Sequence, residues 1–227
     1  MKTLALETSG RTGSVAAWDS ATCVAETSLP SNARTAESLI VGIQNVISKC
    51  HWDTTDLDLI TVTQGPGSFT GLRLGCVTAK VLAFAVEAKL VGVNTLRVLA
   101  ENSDPGPPLW CVMDAGRNQC FAARYSSTGA AAWEATIEPQ LMGIEEWLSG
   151  VTEGDRVTGP LVKSVAERLP KGVEALSSEH WQPRAKFVGL IGIQKFEQGQ
   201  TANLWEFSPH YYRLSAAEEK QQSINRQ

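Results

Sequence analysis

The sequence lacks both an excess of basic residues and a long apolar run, and each absence excludes a class of protein. Twenty lysines and arginines are outnumbered by 24 aspartates and glutamates, which gives a net charge of -4. Domains that bind nucleic acid directly are usually strongly basic. A bilayer span needs about 20 consecutive apolar residues, and Arg73, Lys80 and Glu87 interrupt the best candidate. We therefore expect little direct contact with RNA and none with a membrane.

Paired-cysteine motifs and a secretion signal are also missing. The five cysteines are odd in number, and none forms a CxxC motif. Their mostly apolar surroundings predict reduced, buried thiols. The first residues turn polar at Glu7, which is unlike a signal peptide. Together these features indicate a cytoplasmic protein.

Histidine is scarce, and its positions suggest no metal site. His51, His180 and His210 have no ligand spacing, so surface positions are predicted for all three. Ser68 lies in "GSFTG", which does not match the GxSxG pattern of a nucleophilic serine. We therefore predict no catalytic residue and no metal ligand.

The chain of 227 residues is long enough for one large domain or two small ones. The cluster "NSDPGPP" marks a boundary near residue 105, and a similar pattern occurs on each side of it. In both parts an acidic residue, Glu7 or Asp114, follows a buried strand, and a Gly-Arg pair comes soon after. This weak repeat predicts two related α/β halves, residues 1–104 and 105–214, followed by a polar tail, 215–227.

Hydrophobic patterns predict the elements of each half. Strands are predicted at Lys2–Thr8, Ser14–Trp18, "CVAETSL", "LDLITVT" and "LVGV". A helix is predicted from Thr35, with apolar positions 36, 39, 40, 43, 46, 47 and 50 on one face. In the second half, "EPQLMGIEEWL" and "WQPRAKFVGLIGIQKFEQG" are interpreted as helices.

The segment "QGPGSFTGLRLG" does not match the named phosphate-binding motifs. It has neither the glycine spacing and lysine of a Walker A loop nor the glycine spacing of a dinucleotide loop. It is better explained as a turn that starts a helix, with Ser68 or Thr70 as the cap. A generic anion site at the start of that helix remains open.

The helix after this turn is apolar around most of its circumference. Gly71, Gly75, Ala79 and Ala83 form a stripe of small residues, and Arg73, Lys80 and Glu87 form a charged line. Such a helix must be covered on more than one side. The second cover is either another part of the chain or a partner protein, for which Ile40, Val41 and Ile43 of the first helix could complete the surface. The sequence leaves both alternatives open.

The segment "GPGSFTGLRLG" resembles the signature of the bacterial TsaB family, also called YeaZ. The similarity extends over nearly the whole chain, through "LALETSGRTGSVA", "VGVNTLRVLA", "MDAGRNQCFAARY" and the closing "SPHYYR". The resemblance implies an α/β fold of the actin, sugar-kinase and Hsp70 (ASKHA) type with two ribonuclease-H-like halves. It also implies a non-catalytic subunit in the biosynthesis of tRNA N6-threonylcarbamoyladenosine at position 37.

The family resemblance further implies partners and site residues. The chain would dock on and activate the catalytic paralogue TsaD, an ATPase like TsaE would join them, and tRNA would be contacted only indirectly. The interface carried over from the family consists of Leu39, Ile43, Val46, Leu72, Gly75, Cys76 and Ala79. In isolation a homodimer through the same helices is expected. On this interpretation Gly75→Trp abolishes pairing and leaves the monomer folded.

The sequence also suggests a ligand site and leaves two alternative functions open. A nucleotide or anion site is predicted at Glu7, Thr8, Ser9, Gly67, Ser68 and Asp114. Glu7 and Asp114 stand where nucleotide-using members of the superfamily hold Mg²⁺, but a carboxylate that caps a turn is the favoured explanation for both. No cofactor is expected to bind tightly, and ATP with Mg²⁺ is expected only in the complex. The alternatives are a phosphotransferase or ATPase of the same fold and a glycoprotease-like metallopeptidase.

Overall fold

The computed structural model describes residues 1–30, 36–127 and 133–213. The predicted helix start at Thr35 and the polar tail, 215–227, lie outside the described residues. Within those ranges, none of the helices has the length and apolar character needed to cross a bilayer.

The elements fall into two sets along the chain. The first set is β1 (Lys2–Glu7), β2 (Ser14–Asp19), β3 (Thr22–Ser28), α1 (Ala36–Lys49), β4 (Leu59–Gly65), α2 (Phe69–Ala85), β5 (Lys89–Asn94) and α3 (Thr95–Glu101). The second set is β6 (Leu109–Gly116), β7 (Gln119–Ser127), β8 (Trp133–Gly143), α4 (Ile144–Gly150), β9 (Arg156–Thr158), α5 (Val162–Val165), β10 (Glu174–Ala175) and α6 (Ala185–Glu197). The strands predicted in the first set are all present.

Two five-stranded sheets of the same topology account for the internal repeat. The first has the order β3-β2-β1-β4-β5, and the second, taken from the other edge, has the order β8-β7-β6-β9-β10. In each sheet a three-stranded antiparallel meander is extended by two parallel strands. The predicted two-halved α/β architecture is therefore confirmed.

Successive residues of the central strands point to opposite faces of each sheet, and both faces are buried. In β1, Leu4 and Leu6 pack with α1 and α2 on one face, while Ala5 packs with α6 on the other. In β6, Trp110 and Val112 pack with α4 and α5. The remaining face of the second sheet packs on α3. The layers are therefore α1 and α2, the first sheet, α6 and α3, the second sheet, and α4 and α5.

The path of the chain differs from the predicted division at residue 105. Although α6 follows the second sheet in sequence, it packs on the first sheet, where Gly189 lies against Trp18 and Gly192 against Thr61. Conversely, α3 packs mainly on the second sheet. A sequence boundary does not capture this exchange because hydrophobic periodicity shows that a helix face is buried but not which sheet buries it.

One predicted helix is largely wrong. In "EPQLMGIEEWL", residues 138–143 belong to strand β8, and the helix begins only at Ile144. Leu141 and Met142 pair with Phe121 and Cys120 of β7. Pairing with a neighbouring strand overrides the helical spacing of apolar residues in this segment. In the second predicted helix, the segment before Ala185 is not part of α6.

The cysteines agree with the predicted reduced state. All five are free thiols, with Cys76, Cys111 and Cys120 buried and Cys23 and Cys50 half-buried. Burial raises the pKa of Cys76 to about 12, so this thiol stays protonated at neutral pH.

Candidate functional site

The glycine-rich segment is a tight turn that holds the start of α2 against the end of β1. Gly67 has φ +154°, and a Cβ there would lie 2.7 Å from the carbonyl oxygen of Ser9. The Ser68 N–H donates to that same oxygen at 2.9 Å. The Ser68 hydroxyl caps α2 by accepting from the Gly71 N–H at 3.3 Å. The predicted role of the segment, a turn that starts a helix, is confirmed.

Glu7 organises the turn beside this segment. Its side chain is fully buried, and its Oε1 accepts hydrogen bonds from the Ser9 N–H at 2.7 Å, the Gly10 N–H at 3.2 Å and the Ser9 hydroxyl. Asp114 does the same at the end of β6, where its Oδ1 accepts from the Gly116 N–H at 2.7 Å. Both carboxylates therefore cap turns, which is the structural explanation that the sequence left open beside metal binding.

A cleft of about 1070 Å³ lies between the two halves next to these turns. Of the six residues predicted for a nucleotide or anion site, Ser9, Gly67, Ser68 and Asp114 line the cleft. Glu7 and Thr8 are buried and do not line it. The structure thus brings the predicted residues to one place, and the anion site itself stays a prediction.

Four basic side chains that the site prediction did not include also line the cleft: Arg11, Arg117, Lys163 and Arg213. The first two belong to the Gly-Arg pairs of the internal repeat, which follow the equivalent strands β1 and β6. The repeat was therefore the signal for them, since equivalent turns of the two halves face one cleft. Lys163 lies on the short helix α5, where no sequence pattern marked it.

The last described residues form a segment, 203–213, that crosses from the first half to the second; we call it the C-terminal strap. Tyr211 stacks on Phe69 at 4.7 Å between ring centroids and accepts a hydrogen bond from Arg73 Nε at 2.9 Å. Tyr212 accepts from Asn94 Nδ2 at 2.9 Å and contacts the ring of Phe121. The strap therefore covers one side of α2.

Arg213 completes this connection in the second half. Its guanidinium donates to the Ala115 carbonyl oxygen and to Gln119 Oε1. The closing "SPHYYR" segment thus joins α2 and β5 of the first half to β6 and β7 of the second. Both tyrosines and this arginine also line the cleft.

The charged line on α2 holds the strap. Lys80 Nζ donates to the Phe207 carbonyl oxygen at 3.1 Å, and Arg73 binds Tyr211 as described above. Phe207 itself is buried in the core of the first half. Both cations hydrogen-bond the strap, and Arg73 itself stays exposed; apart from these two, α2 carries no basic residue.

An exposed part of α2 is apolar. Val77, Val81 and Phe84 are spaced by four and three residues, so they share one helix face, and their exposed fractions are 59%, 61% and 63%. Ile40 and Val41 of α1 are exposed on the same side of the first sheet. We call these five residues the outer face. Trp205 of the strap, 78% exposed, contacts Phe84 at its edge.

The residues carried over from the family as an interface lie elsewhere. Leu39, Ile43, Val46, Leu72, Gly75, Cys76 and Ala79 are all buried in this chain's own core. The assignment of direct contacts to them is therefore corrected: they fix the two helices on the sheet and are covered by this chain's own residues. The docking of a partner on α1 and α2 stays a prediction.

The small-residue stripe packs on this chain and not on a second protein. A Cβ at Gly71 would overlap the Thr8 carbonyl oxygen, and one at Gly75 would overlap the Thr8 hydroxyl oxygen. Ala79 and Ala83 are fully buried against the sheet. Gly75→Trp is therefore expected to disrupt the monomer, which corrects the expectation that it would leave the fold intact.

The three histidines do not cluster, and of the three only His210 lines the cleft. His210 lines the cleft, and His51 is exposed elsewhere. His180 is half-buried, and its Nδ1 lies 2.5 Å from the Asn102 carbonyl oxygen. Across residues 1–30, 36–127 and 133–213, no group of three or more histidine, cysteine or acidic side chains could hold a metal ion.

Comparison with known proteins identifies the family. A family model described as "TsaD: tRNA N6-adenosine threonylcarbamoyltransferase" matches residues 29–192. The chain is 28% identical to "tRNA threonylcarbamoyladenosine biosynthesis protein TsaB" of Bacillus subtilis, with 97% of each chain covered. It is 26% identical to the protein of that name from Escherichia coli, covering 97% of this chain and 98% of the relative.

A solved structure shows the same fold. This protein from Pseudomonas aeruginosa, described as similar to peptidase YeaZ, superposes with a TM-score of 0.81 at 20% identity and covers 93% of this chain and 99% of its own. The agreement extends over both sheets because nearly the full length of each chain is matched. The chain therefore belongs to the threonylcarbamoyltransferase family that the model describes and, within it, to the TsaB (YeaZ) group with its two-lobed ASKHA-like fold.

Proposed function

We propose that this chain is a non-catalytic subunit in tRNA threonylcarbamoyladenosine biosynthesis that docks on a TsaD-like transferase and activates it. The two full-length relatives are named for that biosynthesis, which supports the pathway. The observation that carries the docking is the outer face, with Val77, Val81 and Phe84 each about 60% exposed on one side of α2. Contiguous exposed apolar residues of this kind mark protein interaction sites.

The construction of α2 favours a protein partner for this face. Arg73 and Lys80 are the basic residues of the helix, and each hydrogen-bonds the C-terminal strap. The neighbouring side chains on the outer face are apolar, so covering them desolvates little charge. Burying the exposed part of each valine contributes about 1 kcal/mol.

A transferase-like partner is favoured by the family itself. The model that matches residues 29–192 describes the transferase, so the proposed partner is built on the same architecture as this chain. We propose that the outer face on α1 and α2 of this chain packs against the corresponding pair of helices in the transferase. A TsaE-like ATPase then joins the complex in the cytoplasm, tRNA is contacted through the transferase, and ATP with Mg²⁺ enters only in the assembly.

Val81→Asp is expected to weaken pairing with a purified TsaD-like transferase at least about 100-fold, because a carboxylate at the centre of the outer face would be buried without a partner. Isothermal titration measures the affinity, and transfer to tRNA in the reconstituted system should fall in parallel. Val24→Asp is the matched control: Val24 is 47% exposed but lies on strand β3, so pairing should be unchanged. Equal affinities for the two variants would overturn the proposed docking face.

Without a partner, the same face is proposed to form a homodimer. Sedimentation equilibrium of the isolated chain should give a dimer, and Val81→Asp should give a monomer with an unchanged circular dichroism spectrum. A wild-type chain that is monomeric at about 100 μM would refute self-association through this face. A dimer that persists in Val81→Asp would place the contact elsewhere.

A further inference from the structure

We propose that two copies of this chain pair with their α2 helices antiparallel, so that Arg73 of each copy binds Glu87 of the other. The pairing rests on the outer face proposed above and adds two things to it, the direction of the helices and the charged residues that select that direction. A second copy is favoured as the occupant because the charges along α2 complement themselves when the helix is reversed.

Opposite charges lie at the two ends of the apolar stripe on α2. Arg73 lies near the start of the helix, Glu87 lies just after its end, and both side chains are exposed. The exposed Val77, Val81 and Phe84 lie between them. A helix advances about 21 Å from position 73 to position 87. A second α2 that runs in the opposite direction therefore presents its glutamate where the first presents its arginine, and the reverse at the other end.

The apolar residues fit the same arrangement. A two-fold axis that passes the helix between positions 80 and 81 brings Val77 of each copy to Phe84 of the other and the two Val81 side chains together. Each contact is made twice, as in other isologous interfaces. Lys80 also lies near this axis, but it is half-buried and its Nζ donates to the Phe207 carbonyl oxygen at 3.1 Å. The side chains that meet at the axis are then apolar, and the charged pairs lie at the two ends.

Arg73 is held in place and has no counter-charge in its own chain. Its guanidinium carbon lies 4.0 Å from the centre of the Phe69 ring, and its Nε donates to the Tyr211 hydroxyl at 2.9 Å. Among the residues that the structure describes, neither of its Nη groups has a hydrogen-bond partner and no carboxylate pairs with it. These two groups can therefore donate together to both oxygens of one carboxylate. Other arginines already bind carboxylates of this chain, namely Arg97, Arg124, Arg168 and Arg184.

Glu87 is a carboxylate without a counter-charge at an unfavourable position. It adopts φ +58° just after the end of α2, a left-handed conformation that favours glycine, and its charge opposes the dipole at the helix C-terminus. In the described part of the chain its side chain forms neither an ion pair nor a hydrogen bond. The antiparallel arrangement supplies a guanidinium to it. The same arrangement places Arg73 beside the C-terminal end of the other α2, where a cation is favoured.

The test exchanges these charges in the isolated chain and measures self-association by sedimentation equilibrium. Arg73→Glu and Glu87→Arg each place like charges opposite one another at both ends of the interface, and each should weaken the dimer at least about tenfold. An equimolar mixture of the two variants should recover most of the lost affinity, because every contact at the two ends then joins opposite charges. The double variant that carries both substitutions should recover as a homodimer for the same reason. Lys171→Glu, an equal charge change on an exposed side chain of the second half, is the matched control and should leave the dimer unchanged.

A single variant that dimerises like the wild type, or a mixture no tighter than the single variants, would overturn the antiparallel pairing. Val81→Asp distinguishes this result from failure of the outer face itself, because a dimer that Val81→Asp breaks and charge exchange leaves intact keeps the face and removes the charged pairs. A wild-type chain that stays monomeric at about 100 μM would remove both. Circular dichroism checks the fold of each variant. If Arg73→Glu did not fold, Glu87→Arg alone would decide, because Glu87 is exposed and has no side-chain partner among the described residues.

Discussion

Gly71→Ala should lower the stability of this protein by about 2–3 kcal/mol, although it adds a single methyl group. The new Cβ would overlap the carbonyl oxygen of Thr8, which is backbone at the end of the central strand β1. Relief requires α2 or β1 to move, and both are fixed by fully buried side chains such as Leu6 and Ala79. Helix propensity favours alanine over glycine by about 1 kcal/mol and offsets only part of this cost.

Thermal unfolding monitored by circular dichroism measures the effect, and a fall in Tm on the order of 5–10 °C is expected. Gly150→Ala is the matched control, because Gly150 ends α4 and a Cβ there has nothing within 4 Å. Its Tm should stay close to that of the wild type. If the two variants had the same Tm, the close approach of α2 to Thr8 would not be a constraint on the fold.

For the glycine-rich segment, the sequence predicted the local structure but not the part of the chain that packs on it. Glycine spacing, a proline and the cap Ser68 are local signals, and they correctly predicted a turn followed by a helix. The stripe from Gly71 to Ala83 also predicted that another backbone lies close. Which backbone it is depends on tertiary structure, and both glycines of the stripe proved to pack on Thr8, the residue after β1 of this chain.

The interface residues were mislocated for a related reason. Helix α2 is apolar around most of its circumference, so periodicity does not distinguish the side that packs on the sheet from the side that stays exposed. The charged line does not identify the exposed side either, because Arg73 and Lys80 hydrogen-bond the C-terminal strap about 130 residues later in the chain. Packing on the first sheet separates the buried Cys76 from the exposed Val77.

The repeat was the most informative signal for the cleft. Matching strand–turn patterns after Glu7 and Asp114 predicted two halves, and the halves have the same strand order. Arg11 and Arg117 follow from the same repeat once both turns are known to face one cleft. Lys163 and Arg213 required the structure, since α5 has four residues and the strap has no periodic pattern.

Asp155→Ala should destabilise the second half by about 2–3 kcal/mol, because it leaves a half-buried guanidinium and a buried indole N–H without their acceptor. Asp155 is 2% exposed, and its Oδ1 accepts from Arg124 Nη2 at 2.6 Å and Nε at 3.1 Å. Its Oδ2 accepts from Trp110 Nε1 at 3.2 Å and from the Thr152 N–H at 3.0 Å. Alanine would leave the guanidinium and the buried indole N–H without this acceptor.

The matched control is the exposed ion pair of the same half. Glu145, 70% exposed, pairs with Arg168, and Glu145→Gln should leave the free energy of unfolding unchanged because exposed pairs contribute little. Urea unfolding of both variants at pH 7 gives the comparison. A free energy of unfolding for Asp155→Ala within error of that for Glu145→Gln would mean that the network around Asp155 does not stabilise the fold.

The acid limb of the stability curve tests the same network independently. Burial alone raises the pKa of Asp155, but the hydrogen bonds from the Thr152 N–H and the Arg124 guanidinium outweigh it and hold the pKa below its ordinary value. A carboxyl whose pKa is lowered on folding contributes stability that is fully present above its unfolded pKa of about 3.9. This contribution is lost as the pH falls through the lower folded pKa. Between pH 7 and pH 2 the wild type should therefore lose more stability than Asp155→Asn, which cannot bind that proton, and parallel acid curves for the two proteins would assign the acid sensitivity to other carboxylates.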